Sequence, residues 1–523
     1  MKRRNFIKAA SAGFLPLALN GLPIQTYAQS KFLQMIQQAA SANGRILVLI
    51  QLNGGNDGLN TLIPLDQYSN LQKARSNVII PESKVLSLPD TNLTGLHPSM
   101  SKVRELYDTG RVSVIQDVGY PNPDFSHFRS TDIWMAGSGS ENYLKTGWIG
   151  RTLSYVYDGY PTGYPNAAMP DPPAIQIGYG VSLSLLGHHG SVGMALSDPN
   201  YVYQMLTEQV DDAPNTPAGH ELTYIRLVAQ QTEAYSIAVK QAAEKAQNKS
   251  TLYPANNRLA EQLKLVARLA AGGLKTPVYV VSIGGFDTHA NQVDVNDTTK
   301  GLHANLLQQV SEAVFAFQDD CVKLGLGDKV CSMTFSEFGR RIRSNGSVGT
   351  DHGAAAPLFV FSEKVNPGII GNNPIIPANT IVNDNIPMQF DYRDVYWTMI
   401  KEWFQIDTKV IEEDILLDTF DTLPIFAQSL SVKKEDTTLK LNLSQNFPNP
   451  FIHQTQINFF SPGGQCTLNL YDYRGKKIRV LLQKNLPHGT HEFILDGQSL
   501  KPGNYYYQLI TPLGRDTKQM IKS

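Results

Sequence analysis

Five short segments of this chain carry side chains that could do chemistry together. Gly284-Gly-Phe-Asp287-Thr-His289 places a carboxylate and an imidazole two residues apart, and Gly349-Thr-Asp351-His352-Gly353 places the same pair side by side. A hard oxygen next to a borderline nitrogen suits one divalent ion, although a simple hydrogen-bonded pair would use the same residues. Asn53-Gly-Gly-Asn-Asp57-Gly adds a carboxylate on a turn that its glycines make tight, readable as a metal ligand or as an Asx turn. His303 could close the site of Asp287 and His289 or cap the helix that it begins.

The other two segments supply different groups. Thr334-Phe-Ser-Glu337-Phe-Gly-Arg340-Arg341 holds a possible ligand or base and two guanidinium groups able to neutralise a bound anion; a surface salt-bridge cluster is the plainer reading. In Ser126-His127-Phe-Arg129, Ser126 could be a nucleophile activated by a metal or by His127, with Arg129 binding substrate charge. Ser126 could equally be the N-cap of a helix. His97, His188 and His189 have no comparable carboxylate company and read as loop or supporting residues. The chain has no HExxH helix, no GxSxG elbow, no GxxxxGK[ST] loop and no GxGxxG after a strand. Their absence removes the commonest metalloprotease, esterase and nucleotide-dependent readings.

What must position these groups is a set of continuous apolar runs. Arg45–Leu52, Val112–Val118, Pro277–Ile283, Lys329–Phe335 and Pro357–Phe361 read as strands buried on both faces. Helical periodicity marks Asn257–Ala271, Leu302–Leu324 and Arg393–Phe404. The alternation predicts an α/β sheet with helices on both faces, whose ligands sit beyond the carboxyl ends of the strands. From about residue 441 the texture changes to short alternating segments separated by turns, which predicts a small C-terminal β-sandwich after a polar linker over 427–440. His453, His488 and His491 in that tail read as surface loop histidines.

Whole-chain composition narrows the classes further. The 523 residues carry 45 basic and 46 acidic side chains, so no global basic field exists to hold a phosphate backbone and nucleic acid is not an expected partner. With 42% hydrophobic residues the chain can bury sizeable cores. Three scattered cysteines, Cys321, Cys331 and Cys466, form no disulfide framework; Cys321 and Cys331 could pair or remain buried thiols. Met1–Ala28, with a basic start, a short apolar stretch and Thr26-Tyr27-Ala28, reads as a signal peptide. No later segment reaches the eighteen or so apolar residues of a membrane span.

Several of these motifs resemble known families. Arg3-Arg4-Asn5-Phe6-Ile7-Lys8 resembles the twin-arginine export motif, with Lys2 where Ser or Thr is usual. Asn446-Phe-Pro-Asn-Pro-Phe451, Leu470-Tyr-Asp472, Leu495-Asp-Gly497 and Gly503-Asn-Tyr505 resemble the type A C-terminal sorting domain of the type IX secretion system, with Leu495 where many relatives have Trp. NGGNDGLNTLIP, SHFRSTDIW, GGFDTH, FSEFGRR and GTDHG resemble the secreted family called domain of unknown function 1501, which is similar to the alkaline phosphatase and sulfatase superfamily.

That resemblance implies an alkaline-phosphatase-like sheet over 44–426, one or two divalent metal ions, and export through the twin-arginine and type IX machineries to the outer cell surface or beyond. Asp57 matches the superfamily's first carboxylate, Asp287 with His289 an earlier ligand pair, Asp351-His352 the late pair, and Ser126, loosely, the nucleophile. The Asp287 to His289 spacing is short for the superfamily, and no histidine lies between His352 and the linker to serve as the last ligand. His303, Glu337 or Asp391 could substitute, or a single ion could bind. The expected activity is metal-dependent hydrolysis of phosphate or sulfate esters on a small molecule or glycan. The alternative is a non-catalytic surface protein that keeps the fold for binding, glycans included.

Overall fold

The computed structural model describes residues 44–167, 169–196, 234–427, 443–461, 463–472, 476–487, 489–511 and 514–523, with two short strands, Ala18–Leu19 and Leu22–Pro23. The signal-peptide segment lies largely outside these residues, as does the linker. The chain divides into two compact units, Met1–Gln428 and Ser429–Ser523.

The larger unit is built on a nine-stranded sheet. Its strands are β1 (Ile46–Asn53), β2 (Val112–Gly119), β3 (Ala174–Ile177), β4 (Gly193–Leu196), β5 (Val278–Gly284), β6 (Val330–Phe335), β7 (Ala356–Phe361), β8 (Gly368–Ile370) and β9 (Phe390–Asp391). They lie in the order β4-β3-β5-β1-β6-β7-β2-β8, with β9 also paired to β2. The apolar runs are explained by double burial. Val48 and Ile50 of β1 pack into one cluster with the helices α2 (Arg258–Ala271) and α3 (Leu302–Lys323). Leu47 and Leu49 pack into a second cluster, against α1 (His127–Ala136) and α4 (Tyr392–Thr398), on the opposite face. Successive strand side chains alternate between faces, so a strand covered on both sides must be apolar throughout. Each buried aliphatic side chain contributes about 1.5–3 kcal/mol.

The sheet is mixed rather than wholly parallel. β5 and β6 run parallel to β1, whereas β7 is antiparallel to both β6 and β2. Inverting one strand brings its amino end to the edge where its neighbours have carboxyl ends. Asp351 and His352, which precede β7, are thereby delivered to the same edge as residues that follow β1, β5 and β6. Cys321, Cys331 and Cys466 are free and buried, so no bridge joins Cys321 to Cys331.

The smaller unit has strands β10 (Gln454–Ser461), β11 (Gly464–Asp472), β12 (Lys477–Leu486), β13 (Gly489–Asp496), β14 (Gly503–Thr511) and β15 (Gly514–Lys522). β10 pairs with β13, and β12-β11-β14-β15 form a second antiparallel sheet. Ile457 and Leu495 from the first sheet share a core with Leu468, Leu470, Tyr507 and Leu509 from the second, which makes a small sandwich. Leu495 is buried there. Among the described residues no helix is long and apolar enough to cross a membrane.

Candidate metal centre

At the edge formed by the ends of β1, β5 and β6 the chain makes close turns. Gly54 and Gly55, after β1, have φ of 121° and 85°, which L side chains rarely adopt. A Cβ on Gly54 would lie 2.3 Å from the Asp287 nitrogen, and one on Gly55 would strike the Phe338 ring. This close approach lets the Gly54 N–H donate to Glu337 Oε1 (2.8 Å) and so fixes the first loop against the third. Arg340 ties the same loops together. Its buried guanidinium donates to the carbonyls of Gly54, Gly55, Phe286 and Thr350, and to Asp287 Oδ1 at 2.9 Å.

On this frame three imidazoles converge on one carboxylate. His127 Nε2 lies 3.4 Å from Asp287 Oδ2, while His289 Nε2 and His352 Nε2 each lie 3.1 Å from Asp287 Oδ1. The latter two nitrogens are 2.8 Å apart. Donor atoms of His127, Asp287 and His352 all fall within 4.8 Å of one another.

Each ring is held from behind through its other nitrogen. His127 Nδ1 donates to Glu337 Oε1 (2.9 Å), His289 Nδ1 to Asp351 Oδ1 (3.1 Å) and His352 Nδ1 to the Phe125 carbonyl (2.7 Å). An oxygen acceptor at Nδ1 keeps the proton there and leaves the Nε2 lone pair facing the centre. His127, Asp287 and His352 are close enough together to be a donor set for one cation, and His289 Nε2 lies beside Asp287 and His352. Asn345 Nδ2 steadies Asp351 at 3.1 Å.

The electrostatics favour an ionised carboxylate at the centre. Partial burial works to raise the Asp287 pKa, but the hydrogen bond and charge of Arg340, together with the imidazoles around the carboxylate, outweigh it and bring it to about 2. Asp351 is lowered in the same way, burial being outdone by Asn345 and His289. Burial lowers His352. Asp287 remains about half exposed, so the cluster opens to solvent.

Several expected residues are placed elsewhere. Asp57 is corrected as a ligand of this centre: it is fully buried and accepts two hydrogen bonds from Arg75 Nη1, at 2.8 and 2.9 Å, and one from Gln292 at 2.6 Å. His303 is equally buried and does not reach the centre either; its Nε2 faces Asn56 Oδ1 at 2.9 Å and its Nδ1 has no partner. Burial drives His303 down to about 4 and the neighbouring His97 down to about 3. His127 is not set up as a base for Ser126, because both its nitrogens face carboxylates. Glu337 is buried behind His127, which makes it a positioning group rather than a ligand or an open base.

The three arginines fare differently as well. Arg129 turns away, donating to the carbonyls of Ser140 and Asn142 and stacking on Tyr143. Arg340 is consumed by the loops, and Arg341 donates to the His352 carbonyl and to Asn383 while staying partly exposed. Ser126 stands at the N-cap of α1 but its hydroxyl makes no capping bond, and it is exposed. It sits between Phe125 and His127, both fastened to the cluster. Asp391 is spent on the capping box of α4 and on Arg393.

Arg75, Gln292, Asn345 and the Phe125 carbonyl escaped the sequence reading. A backbone acceptor carries no sequence signal, and Arg75 lies in the helix Tyr68–Arg75 with nothing nearby to single it out.

Residues 193–415 match the family model described as Protein of unknown function (DUF1501), and residues 445–523 match the secretion system C-terminal sorting domain. The latter marks the chain for type IX secretion to the cell surface or outside. No curated protein matches. Solved structures with some likeness include the PsFucS1 sulfatase from Pseudoalteromonas sp., at 10% identity over 90% of this chain and 88% of that one, with a TM-score of 0.33. A protein in the alkaline phosphatase superfamily from Vibrio parahaemolyticus has 10% identity over 87% and 90%, with a TM-score of 0.31. PorZ, a surface component of the type IX secretion system of Porphyromonas gingivalis, is matched at 12% identity over 16% of this chain, which spans only 11% of PorZ, with a TM-score of 0.12.

Proposed function

We propose that this exported chain of the DUF1501 family is a metal-dependent hydrolase of phosphate or sulfate esters. The observation that carries the reading is the convergence of His127, His289 and His352 on the Asp287 carboxylate at an open sheet edge. A divalent ion held there would polarise an ester oxygen and lower the pKa of a bound water. The chain's own residues supply the rest. Glu337, Asp351 and the Phe125 carbonyl hold the three rings in one tautomer. Ser126 presents its hydroxyl from a segment anchored on both sides, which suits a nucleophile or a group that orients the ester. Arg341 keeps part of its surface in solvent beside His352 and would face the anionic end of a substrate.

A second reading has its own support. Arg129 and Arg340 are committed to carbonyls, which leaves little free cationic charge to seize an ester and favours a surface protein that binds, glycans included, without turning over. A panel of aryl phosphates and aryl sulfates separates the two. Hydrolysis by metal-supplemented protein that disappears in Asp287→Asn supports the enzyme. Metal-loaded, folded protein that leaves the whole panel intact overturns it.

A further inference from the structure

We infer that His127 is a metal ligand, completing a site of three imidazoles and one carboxylate for a single transition ion of the zinc class, and that Arg75 takes the place of a second cation at Asp57. The inference rests on the reading of the Asp287 cluster as a metal centre and concerns how many ions it takes, of which kind, and through which residues.

Three features point to His127 as a ligand. Its Nδ1 proton is already given to Glu337, which is buried and is itself fixed by the Gly54 N–H, so turning the ring would break that bond and leave a buried carboxylate oxygen short of a donor. Its Nε2 therefore looks at Asp287, in the same manner as the Nε2 atoms of His289 and His352. Such carboxylate-backed histidines are the usual form of a metal-binding imidazole. Nitrogen donors outnumber oxygen three to one, which suits zinc and its neighbours, whereas calcium and magnesium require oxygen-rich shells. The 2.8 Å contact between His289 Nε2 and His352 Nε2 brings two lone pairs together, an arrangement that a cation relieves.

The number of ions follows from Asp57. A second divalent site at the end of β1 would need that carboxylate, yet both its oxygens accept from Arg75 and one also from Gln292, in a place closed to solvent. Arg75 is fixed in turn by the carbonyls of Ile342 and Arg341. A guanidinium held by Asp57 and by two carbonyls is a resident cation at that carboxylate.

The test is metal titration of the whole secreted chain after chelator treatment. Zinc or cobalt should bind at one equivalent, cobalt should give visible d–d absorption of a four- or five-coordinate nitrogen-rich site, and calcium and magnesium should not compete. His127→Ala should weaken zinc binding about 100-fold, and His127→Gln likewise, with the thermal midpoint of the metal-free protein showing that each variant folds. Two equivalents of tightly bound ion, preference for calcium or magnesium, or zinc affinity indifferent to both His127 variants would overturn the inference while leaving a metal centre in place. Failure to bind any of the four ions would overturn the metal centre itself.

Discussion

Asp57 and Asp287 follow adjacent parallel strands of one sheet, in Gly-rich turns that look alike in sequence, and their fates are opposite. Asp57 is sealed beneath the sheet edge and neutralised by Arg75; Asp287 stands half in solvent, surrounded by histidines. The difference lies in what the neighbouring loops bring. A guanidinium supplies its own charge and hydrogen bonds, so a carboxylate it covers can be buried. Asp287 also accepts from a guanidinium, that of Arg340, but it stays open to solvent with three imidazoles around it, and a cation could be added there. One position is a buried ion pair and the other an open cluster of donor atoms.

The contrast can be broken most sharply at Arg75. Arg75→Met leaves the Asp57 carboxylate buried with only Gln292 and should cost about 3–5 kcal/mol in denaturant unfolding. The double replacement with Asp57→Leu should recover much of that loss. Zinc affinity per folded molecule should not change in either, and a large change would show that the two carboxylates act as one site.

On the open side, Glu337→Gln should lower zinc affinity 10- to 100-fold by loosening the His127 ring, with a far smaller stability loss than Arg75→Met. Equal losses of stability would mean that Glu337 serves the fold rather than the centre.

A gentler probe is pH. His97 and His303, buried near Asp57, have folded pKa values of about 3 and 4 against an ordinary 6.5. The unfolded chain takes up protons below 6.5 that the folded one refuses, so the stability these rings contribute above pH 6.5 is lost as the pH falls through the folded values. Urea midpoints should therefore drop from pH 6.5 towards 4, and a flat profile would show that burial holds neither ring below its ordinary pKa.

Smallest of all, Arg129→Ala removes two carbonyl contacts, one exposed and one partly buried, and a stacking partner for Tyr143. It should cost no more than about 1 kcal/mol and leave zinc binding untouched. A defect in metal or ester binding would return Arg129 to the substrate side.

Much of the frame was legible because its causes are local. Runs such as Arg45–Leu52 are apolar at every position, and only a strand covered on both faces asks for that. Asp287 with His289 and Asp351 with His352 stood out because both members of each pair lie within three residues of each other. Asp57 was misread because the decisive partner, Arg75, comes from a separate helix and acts through a fold that closes over both. The surroundings of His127 were hidden for a similar reason: its sequence neighbour is Ser126, but its neighbours in space are Glu337 and Asp287, more than 150 residues away.

The sequence by itself therefore determined the α/β layering, the β-sandwich tail with its sorting motifs, and the residue types available for a metal centre, since periodicity and motif chemistry act over a few residues. Only the tertiary structure decided which of those residues meet. The inversion of β7 carried Asp351 and His352 to the shared edge, and the Gly54–Gly55 turn let Glu337 lock His127 in place. Burial then gave Asp57 to Arg75, because a carboxylate removed from water must take the nearest cation the fold provides.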